Sequence, residues 1–232
     1  MSDVLNIDNL NVYYGKNHIL KDVNLKIAHG EIVGLLGESG CGKSTLAKTI
    51  CGLLKKTSGE IYLDGKPQMI FQDPYGSLNP SMRIGRILEE PLRINTKLGR
   101  DEINKRVREM AERTGIDLNL LDSYPNELSG GQRQRVSIAL SLMLNPALVI
   151  ADEPVSALDV TIQKKVLTLL YELNRDFNVG MLFISHDIKV IYEMCSYIYI
   201  MKDGMIVEDG TDEEIFKNPK EQYTKTLLLS AM

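Results

Sequence analysis

Cysteine is scarce in this sequence and is spread thinly along it. Only three cysteines occur, Cys41, Cys51 and Cys195, and no two of them form a CxxC pattern. A disulfide framework or a structural zinc site needs more cysteines at short, characteristic spacings. The set therefore favours a reduced, cytosolic protein that has neither kind of cross-link.

Long apolar segments are also missing. No apolar run approaches the roughly 18–20 residues that a membrane-spanning helix needs. The first ten residues, MSDVLNIDNL, lack the basic region and the apolar core of a signal peptide. If this protein works at a membrane, we expect it to dock there onto another chain.

The sequence has no excess of positive charge. Its 27 lysines and arginines are outnumbered by 31 aspartates and glutamates, which gives a formal net charge of −4. This mild acidity provides no electrostatic reason to expect a nucleic-acid partner. With 232 residues, of which 44% are hydrophobic, the chain is long enough for one large domain with its own core.

Short strands and helices alternate along the chain. Unbroken apolar runs such as ALVIA and MLFI predict parallel strands that are buried on both faces. Strands are predicted at residues 4–14, 18–27, 31–37, 59–65, 147–151 and 181–184, followed by a closing hairpin around Asp203-Gly204. The pattern predicts an α/β fold with a mostly parallel sheet, a small antiparallel β subdomain and a helical insertion at residues 73–144.

Apolar residues at helical spacing predict two of the helices. The first carries Leu46, Ile50, Leu53 and Leu54 on one face. The second, residues 101–114, has an apolar stripe, and its remaining charges of both signs predict a solvated opposite face.

A glycine-rich segment, GESGCGKS, joins a predicted strand to a predicted helix and matches the phosphate-binding pattern GxxxxGK[ST]. In such a loop, consecutive backbone N–H groups face the α- and β-phosphates of a nucleotide, and the helix N-terminus adds its positive end. We expect Lys43 to reach the β- and γ-phosphates, Ser44 to offer its hydroxyl to Mg²⁺ and Thr45 to reach the α-phosphate. Cys41 is interpreted as a small residue whose backbone N–H matters. The nucleotide-binding segment comprises Gly37, Glu38, Ser39, Gly40, Cys41, Gly42, Lys43, Ser44 and Thr45.

Two adjacent carboxylates end the predicted strand in ALVIADEP. Phosphoryl transfer needs a group that holds the metal and a group that positions the attacking water. Asp152 is placed to hold the Mg²⁺ shell, and Glu153, on the other side of the strand, can orient or deprotonate the water. Together with the phosphate loop, this pair predicts a P-loop NTPase core of the RecA-like type that uses ATP and Mg²⁺.

A second anion cradle is predicted in the segment LSGGQ. Ser129 and Gln132 form an S-x-x-Q capping box, and Gly130 and Gly131 leave the following helix N-terminus open to an anion. Alone, the segment is also typical of an ordinary glycine-rich helix start. In a chain that already has a phosphate loop, it resembles the signature of the ATP-binding cassette (ABC) family, in which two cassettes pack head to tail and each lends its signature to the nucleotide of the other.

The resemblance implies roles for four further residues. Gln72 in IFQDP resembles the glutamine that joins the metal and the attacking water to the transport partner. Asp159 in SALD resembles the aspartate that crosses the dimer interface, and His186 in FISHD resembles the histidine that contacts the γ-phosphate. Tyr14 resembles the aromatic residue that stacks on adenine. Tyr13 is the alternative, because strand alternation predicts that one of the two tyrosines points inward.

The same resemblance implies a domain plan. The chain is expected to form one ABC ATPase domain, residues 1–232. Its nucleotide-binding core with the β subdomain would comprise residues 1–72 and 145–232. The helical subdomain, residues 73–144, would carry the signature.

A finer resemblance covers residues 69–92 and NPKEQYTKTLL near the end, which are similar to the importers of oligopeptides, dipeptides, nickel and metal chelates. It implies transmembrane permease subunits, a second cassette that is an identical copy or a paralogue, an extracytoplasmic solute-binding protein, and a location at the cytoplasmic face of the membrane. One departure is that only Asp64 to Pro67 connect the second-sheet strand to the segment of Gln72, where relatives usually carry a longer arm. Many relatives also continue past the position of Met232, some with cysteines for an iron–sulfur cluster, which is not expected here.

Two other classes of ABC ATPase are alternatives. DNA-repair and chromosome ATPases insert long coiled-coil arms between phosphate loop and signature. Here the spacing from Ser44 to Ser129 is 85 residues and shows no sustained heptads. Translation-factor ATPases normally carry two cassettes in one chain. The sequence therefore favours a transporter subunit.

Overall fold

The structure is a computed structural model, and it describes residues 2–229. A three-stranded antiparallel sheet is built from β1 (Asp3–Tyr14), β2 (Asn17–Ala28) and β4 (Ser58–Leu63) in the order β2-β1-β4. Strands β1 and β2 confirm the strands predicted at residues 4–14 and 18–27, and they pair as an antiparallel hairpin. Apolar side chains alternate with exposed polar ones along both strands, which is the period expected when one face of a sheet is buried.

A second sheet has six strands in the order β5-β6-β7-β3-β8-β9. Pairs β6–β7, β7–β3 and β3–β8 are parallel, and β8–β9 is the predicted antiparallel hairpin. Every residue of β3, β6 and β7 is buried, in agreement with their unbroken apolar sequences. The strands are β3 (Ile32–Leu36), β5 (Gln68–Ile70), β6 (Leu148–Asp152), β7 (Gly180–Ser185), β8 (Tyr197–Lys202) and β9 (Met205–Thr211).

Nine α-helices lie within residues 2–229, and two short 3₁₀ helices, Leu118–Asp122 and Pro125–Glu127, lie before α5. The α-helices are α1 (Lys43–Ile50), α2 (Pro74–Ser77), α3 (Ile84–Asn95), α4 (Arg100–Arg113), α5 (Gly130–Leu142), α6 (Val160–Phe177), α7 (Ile188–Met194), α8 (Asp212–Lys217) and α9 (Gln222–Leu229). The predicted helix at residues 101–114 is confirmed as α4, with its apolar stripe buried. The predicted α/β class, with a mostly parallel sheet and a separate antiparallel sheet, is confirmed.

One helix prediction is wrong at its end. Helix α1 stops at Ile50, so Leu53 and Leu54 do not continue its apolar face, and Leu53 is 61% exposed. The reason is local. Gly52 adopts a left-handed backbone with a φ of 71°, which turns the chain away after the last helical turn.

The chain divides into two compact units. The first comprises the residues up to Met69, Ala147–Glu153 and the chain from Leu173 onward, and the second comprises Ile70–Pro146 and Pro154–Glu172. The predicted subdomain boundaries at 73 and 144 stay predictions, because compactness alone does not define a functional subdomain. None of the helices between residues 2 and 229 is both long and apolar enough to cross a membrane.

The first unit places the predicted chemistry at one edge of its sheet. Strand β7 lies between β3 and β6, and all three run in the same direction. Their carboxyl ends therefore meet at one edge, which is where open α/β sheets bind ligands. The phosphate loop follows β3, Glu153 follows β6 and His186 follows β7.

Candidate functional site

The phosphate loop follows β3 and runs straight into α1. Gly40 and Gly42 have φ angles of 82° and 116°, which L-residues with side chains rarely adopt. A Cβ atom on Gly37 would lie 2.3 Å from the carbonyl oxygen of Met201, so only glycine fits there. The loop is thus a tightly curled backbone that leaves room for an anion at the start of a helix, as phosphate binding requires.

The ammonium group of Lys43 lies inside the curl of this loop. It donates hydrogen bonds to the carbonyl oxygens of Gly37 at 2.7 Å and Glu38 at 2.8 Å, and the residue is only 6% exposed. Its Nζ atom also lies 3.9 Å from the Sγ atom of Cys41, and burial raises the pKa of that thiol. A buried positive charge at the start of a helix is placed to attract an anion.

Ser44 and Asp152 come together beneath the loop. Their side chains are hydrogen bonded to each other, and Asp152 is buried at the end of β6. Burial raises the pKa of Asp152, and the bond from Ser44 opposes that rise. A hydroxyl and a carboxylate are the hard oxygen ligands that Mg²⁺ prefers, and Mg²⁺ usually takes only one or two of them from the protein. The pair fits such an ion, and no group of three or more metal-binding side chains occurs within residues 2–229.

Glu153 and His186 form a second pair at the same edge. The Oε1 atom of Glu153 lies 3.0 Å from Nδ1 of His186, with the glutamate side chain 17% exposed and the histidine 60% exposed. Glu153 adopts a left-handed φ of 49° while its N–H donates to the carbonyl oxygen of Ile184 at 2.9 Å. A non-glycine residue held in this conformation stores backbone strain, which is characteristic of functional sites.

Tyr13 and Tyr14 lie at the end of β1 and are both half-exposed, at 43% and 46%. The prediction that one of them points inward is wrong. Strand alternation fails here because the pairing of β1 with β2 shifts register between Val12 and Tyr13. Tyr13 instead stacks on His18, with ring centroids 4.0 Å apart and an interplanar angle of 9°.

The signature segment belongs to the second unit. Ser129 caps α5, accepting from the N–H of Gln132, while the Gln132 side chain accepts from the N–H of Ser129, so the predicted capping box is confirmed. A Cβ atom on Gly131 would lie 2.7 Å from the Cγ2 atom of Ile162 in α6, whereas Gly130 has more room. The two glycines therefore differ in their structural role.

Two other predicted residues, Asp159 and Gln72, also lie in the second unit. Asp159 stands before α6 and accepts from the N–H of Ile162 at 3.0 Å, as an N-terminal cap. Gln72 follows β5 and is exposed. In the first unit, by contrast, the structure brings together Lys43, Ser44 and Asp152, and pairs Glu153 with His186.

Sequence reasoning missed two supports of the phosphate loop. The N–H of Gly204, in the β8–β9 turn, donates to the carbonyl oxygen of Cys41 at 2.9 Å. The hydroxyl of Tyr223, in α9, accepts from the N–H of Glu38 at 3.3 Å. The Asp203-Gly204 dipeptide predicts the hairpin, but it does not predict that the hairpin turn contacts the phosphate loop. No local sequence signal connects Tyr223 with a loop 185 residues earlier.

Comparison with known proteins assigns the family. A family model described as ABC transporter matches residues 20–156, which include the phosphate loop, the signature and both strand-end carboxylates. The chain belongs to the ABC transporter family. As a member of that family it is an ABC ATPase, an ATP-binding and ATP-hydrolysing subunit of a membrane transporter.

Curated relatives of this ABC ATPase carry transport names. It is 44% identical over 225 residues to the dipeptide transport ATP-binding protein DppF of Haemophilus influenzae, covering 90% of this chain and 69% of that protein. It is 45% identical over 223 residues to the oligopeptide transport ATP-binding protein OppF of Salmonella typhimurium, covering 89% of this chain and 67% of that protein. The expected resemblance to the peptide-uptake subfamily is confirmed.

A solved relative gives the same fold. The ATP-binding cassette MJ0796, described as the dimeric structure of a post-hydrolysis state bound to ADP and Pi, superposes with a TM-score of 0.78 at 32% identity. The match covers 89% of this chain and 98% of that one. The predicted ABC cassette fold is confirmed.

Proposed function

We propose that this ABC ATPase hydrolyses Mg²⁺-ATP to power the import of peptides across the cell membrane. The curated relatives named for dipeptide and oligopeptide transport support the peptide substrate. The cassette would work at the cytoplasmic face of the membrane, bound to permease subunits that receive the peptide from an extracytoplasmic solute-binding protein.

The catalytic proposal rests on the pairing of Glu153 with His186, whose Oε1 and Nδ1 atoms lie 3.0 Å apart. Glu153 directly follows Asp152, which pairs with Ser44. Glu153 would accept a proton from the water that attacks the γ-phosphate. His186, which contacts the Glu153 carboxylate, would hold it in place and would also contact the γ-phosphate. The hydrogen bond from the Glu153 N–H to Ile184 holds this backbone, so the carboxylate would be in place at the strand end before substrate binds.

Nucleotide binding is assigned to the phosphate loop, Gly37–Thr45. The loop N–H groups and Lys43 would bind the phosphates. The ammonium has three N–H donors, and the one beyond those accepted by Gly37 and Glu38 would donate to a phosphate oxygen. Ser44, Asp152 and Gln72 would hold Mg²⁺, which when bound neutralises charge on the β- and γ-phosphate oxygens. Tyr14 would stack on adenine.

The site would be completed by a second cassette. The signature of one subunit, Ser129 to Gln132, and its Asp159 would face the nucleotide held by the phosphate loop of the other. A helix N-terminus with small residues is suited to a γ-phosphate, because it offers N–H donors and a positive dipole end. The dimeric state of the solved relative supports this arrangement.

Replacement of Glu153 by Gln tests the proposal. The amide keeps the shape of the side chain but cannot accept the proton, so turnover should fall by at least about 100-fold while ATP still binds. ATP-bound dimers should accumulate, because the closed dimer still forms but opens only after ATP is hydrolysed. Phosphate release and size-exclusion chromatography with and without Mg²⁺-ATP measure the two effects. A variant that hydrolyses ATP at the wild-type rate would remove Glu153 from the role of base.

A further inference from the structure

The hydroxyl of Tyr223 is bonded to a backbone group of the phosphate loop. Tyr223 lies in the first turn of α9, and its Oη atom accepts from the N–H of Glu38 at 3.3 Å. Burial raises the pKa of Tyr223, so the hydroxyl keeps its proton at neutral pH. The contact joins the last described helix to the nucleotide site across 185 residues of sequence.

The bonded N–H belongs to the same peptide unit as the Gly37 carbonyl. In a trans peptide, the N–H and the C=O point in opposite directions within one rigid plane. Tyr223 holds the N–H end of this plane, and the Gly37 oxygen at the other end accepts from the Lys43 ammonium at 2.7 Å. Fixing one end of the plane therefore fixes the position of the oxygen that orients Lys43.

Several contacts hold the Tyr223 ring and its helix in place. The ammonium group of Lys202 lies 4.8 Å from the ring centroid, in a cation–π contact. The backbone N–H groups of Lys220 and Glu221, just before α9, donate to the Glu208 carboxylate at 2.7 and 3.1 Å. Farther along α9, Leu228 is buried. The hydroxyl is thus presented by an anchored element.

We propose that Tyr223 is a positioning residue for nucleotide binding, which acts by fixing the Gly37–Glu38 peptide plane and through it the Lys43 ammonium. The inference rests on the proposed role of Lys43 as the phosphate-binding cation. Without the hydroxyl, the plane rotates more freely and the ammonium samples positions away from the phosphates. Binding of phosphate then includes the cost of ordering both groups.

Replacement of Tyr223 by Phe tests the inference, because it removes only the oxygen and leaves the ring beneath Lys202. Loss of one hydrogen bond that orders the site should raise the Kd for ATP and the KM by about 3- to 10-fold. The kcat should change by less than about 2-fold, because the groups that act on the water are untouched. Fluorescent-nucleotide titration and steady-state kinetics measure these constants.

Tyr192 supplies the matched control. Its ring packs edge-on against Phe216, and the residue is 54% exposed. Tyr192→Phe should leave Kd, KM and kcat at wild-type values. Equal losses in both variants, or wild-type constants in Tyr223→Phe, would overturn the inference.

Hydrogen exchange at the Glu38 amide tests the contact directly. In the wild-type protein without nucleotide this amide should be protected, and in Tyr223→Phe its exchange should be faster by about the same 3- to 10-fold factor. The wild-type measurement decides the question even if Tyr223→Phe folds poorly, since an unprotected amide would overturn the inference.

The failure of this inference can be distinguished from the failure of the proposed function. Lys43→Ala should abolish ATP binding if the phosphate loop is the nucleotide site. If Lys43→Ala binds normally, the proposed function fails. If it loses binding and Tyr223→Phe matches wild type, only the role of Tyr223 fails.

Discussion

At the scale of single residues, the adenine assignment concerns two neighbouring tyrosines that differ in what they already contact. Tyr13 is stacked on His18, whose Nε2 atom lies 2.7 Å from Oδ1 of Asn11, so its ring has a partner within the hairpin. Among the side chains that the structure describes, Tyr14 has no ring partner, and it is 46% exposed. A base can therefore stack on Tyr14 without breaking a contact.

Replacement of Tyr14 by Ala should weaken ATP binding by about 1–2 kcal/mol, which lies within the range known for base–aromatic stacking. Replacement of Tyr13 by Ala should leave ATP affinity near wild type and lower the free energy of unfolding, because it removes the stack on His18. Titration with ATP and chemical denaturation separate the two effects. Loss of ATP affinity only in the Tyr13 variant would assign adenine stacking to Tyr13 instead of Tyr14.

At the scale of elements, the start of α5 contains two adjacent glycines that only the structure distinguishes. A Cβ atom on Gly131 would meet the β-branched side chain of Ile162 at 2.7 Å, and Ile162 has little rotamer freedom to move aside in a helix. A Cβ atom on Gly130 would lie 3.6 Å from Leu158, an ordinary van der Waals distance. The close approach of α5 to α6 therefore depends on Gly131.

Gly131→Ala should lower the free energy of unfolding by about 1–3 kcal/mol, the usual cost of overpacking. Gly130→Ala should leave it unchanged or raise it by up to about 1 kcal/mol, because alanine favours the helix. Urea denaturation without nucleotide measures both. Equal effects of the two substitutions would show that α5 and α6 do not depend on the close contact at Gly131.

Local patterns predicted much of this organisation. The apolar runs of β3, β6 and β7, the stripe of α4 and the capping box at Ser129 and Gln132 each depend on a few neighbouring residues, and all three kinds of element formed as predicted. The predicted end of α1 was wrong because Gly52 adopts a left-handed backbone that ends the helix, although Leu53 and Leu54 continue its apolar spacing. The exposure of Tyr13 was missed because a register shift in a strand pair is not visible in one strand.

The candidate site was predictable to the extent that its residues belong to contiguous motifs. The phosphate loop and the strand-end carboxylates are read from eight-residue segments, since a tight anion cradle needs glycines at fixed offsets. The pairing of Glu153 with His186, and the contacts of Gly204 and Tyr223 with the loop, arise from packing between distant segments. No local spacing encodes those contacts.

At the scale of the whole molecule, the proposed composite site predicts that two defective subunits can complement each other. Ser129→Arg places a bulky cation at the start of α5 and leaves every residue of the phosphate loop unchanged. ATP affinity of this variant as a monomer should stay within about 2-fold of wild type, and hydrolysis should collapse because the closed site cannot form. Nucleotide titration and phosphate release measure the two properties.

Mixing Ser129→Arg with Lys43→Ala gives the decisive measurement. In a mixed dimer, one composite site carries both substitutions and the other carries neither, so ATPase activity should partly recover. Activity of the mixture no higher than that of the separate variants would argue against a site shared between two copies of this chain. Full ATPase activity of Ser129→Arg alone would show that the segment LSGGQ serves only as a helix cap and has no role in hydrolysis.

The supports of the phosphate loop have a consequence for how the protein is made. The loop emerges from the ribosome early, yet its carbonyl at Cys41 is held by Gly204 and its N–H at Glu38 by Tyr223. Strand β8, which pairs with β3 directly below the loop, also comes late in the chain. A nascent chain that ends before β8 can contain every residue of the phosphate-binding motif and still lack the support that shapes it. Competence to bind ATP should therefore be acquired only after β8 and α9 have been synthesised.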